Sequence, residues 1–285
     1  MTAGLFVGLS TIDLIQTIDE FPSANTKAVA RSQEILVGGP ATNAAIAFSH
    51  LGGSATLLAP VGRHSLAHLI KEELQSLEIG LIDLAPECDL PPPISSVWVN
   101  QRGDRSVVSL NATRYKPQAP QVDRSLLRQA SIVLVDGHAT EACRAWAGTA
   151  RTDQIPVVFD GGSWKPGTEG LLRFVDTAIC SSDFRPPDCS SEDEVIEYLR
   201  AAGVSQIAIT KGADPIRYFA DVASGFIEVP RVDVVDTSGA GDIFHGAFCF
   251  FTATGSSFVD SLRDAARIAT ESCRSRGTRQ WMVAR

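Results

Sequence analysis

The sequence predicts an α/β fold: a mostly parallel sheet layered between helices, with a small antiparallel β element projecting from it. Three observations carry this expectation. Apolar runs of strand length recur at residues 5–9, 57–62, 132–135, 155–159, 178–180 and 206–210, and helical patterns separate or follow them. That alternation marks parallel strands joined by crossover helices. Two glycine-rich turns, at 38–43 and 236–242, each open an apolar helical run. Finally, residues 12–36 and 94–111 look extended, with little helix between, so they are expected to stand outside the main sheet.

Each element has a local reason. Leu5-Phe6-Val7-Gly8-Leu9 is a short buried strand, and Asp13 follows it. Ile12, Leu14, Gln16 and Ile18 alternate, as do Val97, Val99 and Gln101 and then Val107 and Ser109. Gln101-Arg102-Gly103-Asp104 supplies the hairpin turn, and Pro91-Pro92-Pro93 is a stiff connector into that second pair. Over residues 65–78, Leu66, Leu69, Ile70, Leu74 and Leu77 recur at helical spacing, with Lys71, Glu72 and Glu73 on the other face. Further helices are expected at 124–130, 140–151, 192–202, 241–254 and 257–274, with right-handed crossovers placing them on both faces. The whole chain, 1–285, reads as a single domain with its projecting strands at about 12–36 and 94–111.

Composition narrows the function. Of 285 residues, 44% are hydrophobic and 20% charged, enough apolar material for a large core. A formal net charge of −8 and the absence of a basic stripe argue against a nucleic-acid surface. No apolar run is long enough to span a bilayer. The N-terminus lacks a basic stretch before its apolar segment, so no secretory signal is expected. Six cysteines without a C-x-x-C pair fit reduced thiols in a cytoplasmic protein. His64 and His68 stand four apart, but no third ligand accompanies them and no metal site is assigned. His245 is expected to serve packing or the helix surface, and Asp136-Gly137-His138 could look into a cleft.

The chemistry concentrates in two stretches. In Asp236-Thr237-Ser238-Gly239-Ala240-Gly241-Asp242, Gly239 and Gly241 let the backbone approach a ligand closely. The helix that follows adds unpaired N–H donors and a positive dipole end, a site for a phosphate-like anion. Asp242 beside that site would be repelled by phosphate unless it accepts a proton from an attacking hydroxyl. The plain alternative is an acidic residue in a first helical turn. In Gly38-Gly39-Pro40-Ala41-Thr42-Asn43, Asn43 offers a donor and an acceptor to a hydroxylated ligand. Asp13, beyond the carboxyl end of a strand, is placed to face a site in an open α/β sheet.

These residues resemble the ribokinase / phosphofructokinase-B family of ATP-dependent sugar kinases. One family signature runs from Gly38 through Asn43, Ala45 and Gly52 to Gly62, the other from Asp236 to Phe248. Similarity also covers Val7-Gly8 with Asp13, Thr210-Lys211-Gly212 and the helix around Ala269 and Cys273. The resemblance implies a ribokinase-like three-layer α/β/α fold and transfer of the ATP γ-phosphoryl to a sugar hydroxyl. It casts Asp242 as general base, with the amides of Gly239, Ala240 and Gly241 as anion hole. Asp13, Gly39 and Asn43 would hold the sugar, and Arg105 is a candidate contact to substrate or phosphate. Thr210, Gly212, Ala269 and Cys273 would line the nucleotide site, and Mg2+ is expected with ATP. The projecting strands would be a lid over the sugar and the contact of a homodimer.

Three stretches depart from the family pattern. Ser181-Ser182-Asp183-Phe184 stands where many members carry Asn-x-x-Glu, which leaves water-mediated magnesium binding, assisted by Asp160 or Asp183. Pro40 lacks the side-chain hydrogen bond often made there, and Arg63-His64-Ser65 replaces an Asp-containing turn. The serine stretch and lid hairpin look closest to the ketohexokinase-like branch, so a ketohexose such as fructose is slightly favoured as acceptor. The alternatives are a nucleoside or sugar-acid kinase of the same family, or a catalytically silent sugar- or nucleotide-binding regulator.

Overall fold

A computed structural model describes residues 2–102, 104–110, 121–220 and 223–283. Its strands in chain order are β1 (Ala3–Val7), β2 (Thr11–Thr17), β3 (Ser32–Gly38), β4 (Ser54–Ala59), β5 (Gly80–Asp83), β6 (Ile94–Val99) and β7 (Arg105–Ser109). They continue as β8 (Ile132–Val135), β9 (Val157–Gly161), β10 (Thr177–Ser181), β11 (Gln206–Lys211), β12 (Asp214–Ala220) and β13 (Ala223–Ile227). The helices are α1 (Pro40–His50), α2 (Ala67–Ser76), α3 (Arg124–Leu127), α4 (Thr140–Thr152), α5 (Thr168–Leu172), α6 (Glu192–Ala201), α7 (Ala240–Ala253) and α8 (Phe258–Ser272).

The large sheet has nine strands in the order β13-β12-β11-β10-β9-β8-β1-β4-β5. From β11 to β5 every neighbouring pair is parallel, and β12 and β13 close one edge antiparallel. Side chains alternate across the sheet, and the two faces bury separate cores. Phe6, Leu57, Ile132 and Leu134 pack under α1, α2, α7 and α8. Leu5, Val7, Val133 and Val135 pack against Trp146 of α4, Leu171 and Leu172 of α5, and Val195 and Leu199 of α6. The result is the expected three-layer α/β/α arrangement.

The projecting element is a separate four-stranded sheet in the order β3-β2-β6-β7. The pairs β2–β3 and β6–β7 are antiparallel, as expected, and the two pairs join through a parallel contact between β2 and β6. Register sorts its side chains between two faces. Asp13 aligns with Leu36, Ser95 and Ser109, and Arg105 lies in line with Val99, Thr17 and Ser32. Asp13 and Arg105 therefore share one face. The opposite face carries Leu14, Ile35, Ser96 and Val108.

Chain order in the large sheet reverses at β1: one branch runs outward through β4 and β5, the other through β8 to β11. In open α/β sheets, ligand crevices form outside the carboxyl ends of strands at such a switch point. A buried carboxylate, Asp136, ties that point together. Its Oδ2 accepts from Leu9 N (2.8 Å) and Ala41 N (3.2 Å), and its Oδ1 from His138 N (2.9 Å). One side chain thus joins the tips of β1 and β8 to the start of α1, where a negative charge is favoured. Gly8 makes room, because a Cβ there would lie 2.1 Å from the Asp136 carboxyl.

Candidate active site

Asp242 lies in the first turn of α7, whose N-cap, Gly239, has φ 67°. A side chain at Gly239 would be strained in that left-handed conformation and would meet Thr278 Cγ2 at 2.5 Å. Asp236 shapes the turn that precedes it. Its Oδ1 accepts from Ser238 N (2.9 Å) and Oγ (2.6 Å), and its Oδ2 accepts from Gly277 N (2.8 Å). Ala240 N makes a long bond to Thr237 O (3.3 Å), and Ile243 N bonds to Gly239 O (2.8 Å). The amides of Gly241 and Asp242 begin the helix, where N–H groups have no intrahelical acceptor and favour an anion. Asp236 therefore holds the turn, and Asp242 stands beside its donors.

The Asp242 carboxyl is crowded by protein yet its residue surface still reaches solvent. Burial, reinforced by Asp160 and Asp136, raises its pKa to about 7, while the Asn43 hydrogen bond and His245 oppose the rise. A carboxylate that titrates near neutrality is suited to taking up a proton. His245 is buried beneath it, not on the helix surface. Its Nδ1 lies 2.7 Å from Gly241 O and its Nε2 3.1 Å from Ile179 O. The Asp160 carboxylate stands 3.5 Å from Nδ1.

Asn43 comes from α1, which opens at Gly39 with φ 101°. A Cβ at Gly39 would clash with Leu9 O at 2.4 Å, so glycine is required. Asn43 Nδ2 donates to Asp242 Oδ2 (2.8 Å), and Asn43 Oδ1 accepts from Arg279 Nη1 (3.0 Å). Both signature stretches meet in that first bond. Asp13 reaches the same neighbourhood from β2. Its Oδ2 lies over Gly38, where a Cβ would be only 2.0 Å away, and its Oδ1 accepts from Thr11 Oγ1 (2.8 Å). Burial raises the Asp13 pKa against the lowering influence of Thr11, Ser95 and Arg279. Arg279 thus acts on Asp13 electrostatically and on Asn43 directly. From the small sheet, the exposed Arg105 guanidinium donates to Ser238 Oγ (2.7 Å) and Thr237 Oγ1 (3.2 Å), so it closes over the turn that opens α7.

The residues expected around the nucleotide occupy two places. Thr210 is the penultimate residue of β11, its Oγ1 donating to Cys180 O (3.4 Å), and Gly212 follows in the hairpin with φ 56°. Ala269 is buried near the end of α8, and Cys273 caps that helix. The Cys273 carbonyl accepts from Val235 N (2.8 Å) and Asp236 N (3.2 Å), so it also anchors the Asp236 turn. Where Asn-x-x-Glu is usual, Phe184 turns into the core against Phe159 and Trp164, and Asp183 is exposed. Asp160 is 5% exposed, and its Oδ2 has no hydrogen-bond partner among the described residues. His64 serves its helix start, its Nδ1 accepting from Leu66 N (3.1 Å). All six cysteines are free thiols.

The family model for pfkB family carbohydrate kinases matches residues 1–284. The chain belongs to the pfkB family. It is accordingly a phosphotransferase with an alcohol acceptor, of the sugar and nucleoside kinase type. Among curated relatives it is 25% identical to ribokinase of Bacillus subtilis over 98% of this chain and 95% of that protein. It is also 25% identical to nucleoside kinase of Methanothermobacter thermautotrophicus, covering 96% and 90% of the two chains. Arabidopsis thaliana ribokinase, solved with ribose and ATP, superposes with a TM-score of 0.82 at 22% identity, over 97% of this chain and 93% of that one. This likeness establishes the ribokinase-like fold. The ketohexose preference expected from the sequence finds no support in these relatives.

The sequence-based expectations give no sign of Arg279, of the contacts Glu73 makes beyond its own helix, or of the structural part of Asp136. Asp136-Gly137 and Asp160-Gly161-Gly162 share a signal that could have been used: a carboxylate at a strand end, followed by glycine. Arg279 has no such mark, because its partners come from residues 37, 43 and 73.

Proposed function

We propose that the protein transfers the ATP γ-phosphoryl to a hydroxyl of a furanose sugar or nucleoside, with Asp242 as general base. The observation that carries this is the Asn43–Asp242 bond, which sets a raised-pKa carboxylate beside the open amides at the start of α7. The acceptor would lie between Asp13 on the lid face and Asp242, with Gly39 allowing close approach and Asn43 holding one hydroxyl. Asp242 takes the proton from that hydroxyl as the oxygen attacks phosphorus. The amides of Gly239 and Gly241, joined by that of Ala240 once it leaves its long bond to Thr237 O, stabilise the charge on the moving phosphoryl, each such donor contributing about 3 kcal/mol in comparable sites. Arg105, already on Ser238 and Thr237, adds positive charge from the lid. Thr210 and Gly212, with Ala269 and Cys273, would border the ribose and adenine.

Mg2+ accompanying the nucleotide would offset the negative charge of the phosphates. Among the described residues, no cluster of three or more His, Cys, Asp or Glu side chains could hold a metal alone. Asp160, whose buried Oδ2 makes no hydrogen bond among the described residues and lies 3.5 Å from His245 Nδ1, would be the carboxylate nearest to hand for supporting such an ion. Relatives named as ribokinase, nucleoside kinase and deoxyribokinase favour a pentose-type ring over a ketohexose. The whole chain would form one cytoplasmic catalytic unit, and a homodimer would form through the lid.

A coupled ADP-release assay with ATP, Mg2+ and a panel of D-ribose, 2-deoxy-D-ribose, D-fructose and nucleosides tests the reading. Asp242→Asn should lower turnover at least about a hundredfold while acceptor binding persists. Turnover near wild type in that variant would remove Asp242 as base. Chelation of Mg2+ should abolish activity and readdition should restore it.

A further inference from the structure

The Arg279 side chain is only 16% exposed, and its donors are divided among three parts of the molecule. Nε donates to Glu73 Oε1 of α2 (2.9 Å), Nη2 to Val37 O of β3 (2.6 Å), and Nη1 to Asn43 Oδ1 (3.0 Å) and Thr278 Oγ1 (2.8 Å). Glu73 completes a ring, because its Oε2 accepts from Val37 N (3.0 Å). Both peptide groups of the last lid-strand turn toward α1 are thereby clamped by one ion pair. A guanidinium has donors and no acceptor, so the atom of Asn43 that faces it must be the amide oxygen. The amide nitrogen is then forced onto the other side, where it meets Asp242.

We propose that Arg279 is the positioning residue of this kinase, fixing the Asn43 amide so that its N–H group holds the Asp242 carboxylate in place. The proposal rests on the assignment of Asp242 as base. Without the guanidinium, Asn43 can rotate its amide and present Oδ1 to Asp242. Oxygen against carboxylate is repulsive, which favours the protonated, inactive form of the base. Asp242 is faced by Asp160 from β9, Asp136 beyond β8 and His245 from α7. Asn43 from α1 is therefore the neutral partner whose orientation decides the sign of its contribution. The same guanidinium holds Val37, so the lid strand and the base are registered to one another through a single side chain.

The test needs no substrate. In protein labelled with 13C at aspartate carboxyls, the Asp242 signal is identified by its loss in Asp242→Asn and titrated in wild type, Arg279→Met, Asn43→Ala and the double variant. Arg279→Met and Asn43→Ala should each raise the midpoint by about one pH unit, the worth of a hydrogen bond to a charged acceptor. The double variant should rise no further, since both changes remove one interaction. An unchanged midpoint in Arg279→Met, or shifts that add in the double variant, overturns the proposal. Should Arg279→Met fail to fold, Arg279→Lys keeps the charge but cannot bridge Val37 and Asn43 together, and its midpoint must rise as well. With the acceptor selected by the panel, Arg279→Met should lose at least tenfold in kcat with KM within threefold; a loss confined to KM overturns it. Full turnover by Asp242→Asn would instead fail the base assignment, a distinct result.

Discussion

Asp242 is a residue placed against its own comfort. Its pKa is raised to about 7, chiefly by burial, so the folded state binds its proton more tightly than the unfolded chain does. Between the ordinary carboxylate range and about pH 7 the native state therefore holds more protons, and this group's effect on stability worsens as pH rises through that window. Above about 7 the full penalty is present. Asp242→Asn should accordingly melt at a higher temperature than wild type at pH 8, with the gap closing toward pH 4, as differential scanning calorimetry would show. Catalysis runs the other way. As the proposed base, Asp242 must be ionised, so kcat should climb as pH increases through about 7 and level above it. A variant that is both more stable and nearly inactive is the signature of a site held at some cost to the fold.

At the scale of elements, the chemistry depends on how closely α1 and α7 approach. A Cβ at Gly246 would sit 2.2 Å from Ala44 O, a backbone atom that cannot swing aside. Gly246→Ala gains up to about 1 kcal/mol of helix propensity. Overpacking against backbone costs about 1–3 kcal/mol, so the variant should be less stable by urea denaturation. It should also slow turnover, because the shift separates Asn43 from Asp242. Much at this scale was legible beforehand. Residues 132–135 formed a strand as expected because four consecutive apolar side chains serve a sheet buried on both faces. Asp214–Ala220 and Ala223–Ile227 were missed: the edge strand β13 and its neighbour β12 are only partly buried, and β12 opens with Asp-Pro. Gly80–Asp83 is short and carries its own glycine. At the site, Asp242 and Asn43 could be placed from sequence because each follows a glycine turn at a helix start, and Asp13 because it comes soon after the first strand, although it lies inside β2. Arg279 and His245 could not, since their meaning lies in carbonyls contributed by distant segments.

For the molecule as a whole, the lid turns two different surfaces outward and inward. The face with Asp13 and Arg105 looks to the site, while Val108 (67% exposed) and Ile35 (54% exposed) lie on the other. We propose that this outer apolar row pairs with the same row of a second copy. Val108→Glu should then convert a dimer into a monomer in sedimentation velocity, leaving the fold intact by circular dichroism; a wild-type protein that sediments as a monomer at high concentration would refute the pairing. No helix among the described residues is long and apolar enough to cross a membrane.

The parallel pairing of β2 with β6 has an engineering consequence. The lid is not one insertion but two excursions, separated in the chain by α1, β4, α2 and β5. Transplanting substrate preference from a relative would therefore require both pieces to be exchanged at once, with the seam at Val37 kept native. A chimera carrying only one donor hairpin would mismatch the partner strand it must lie beside.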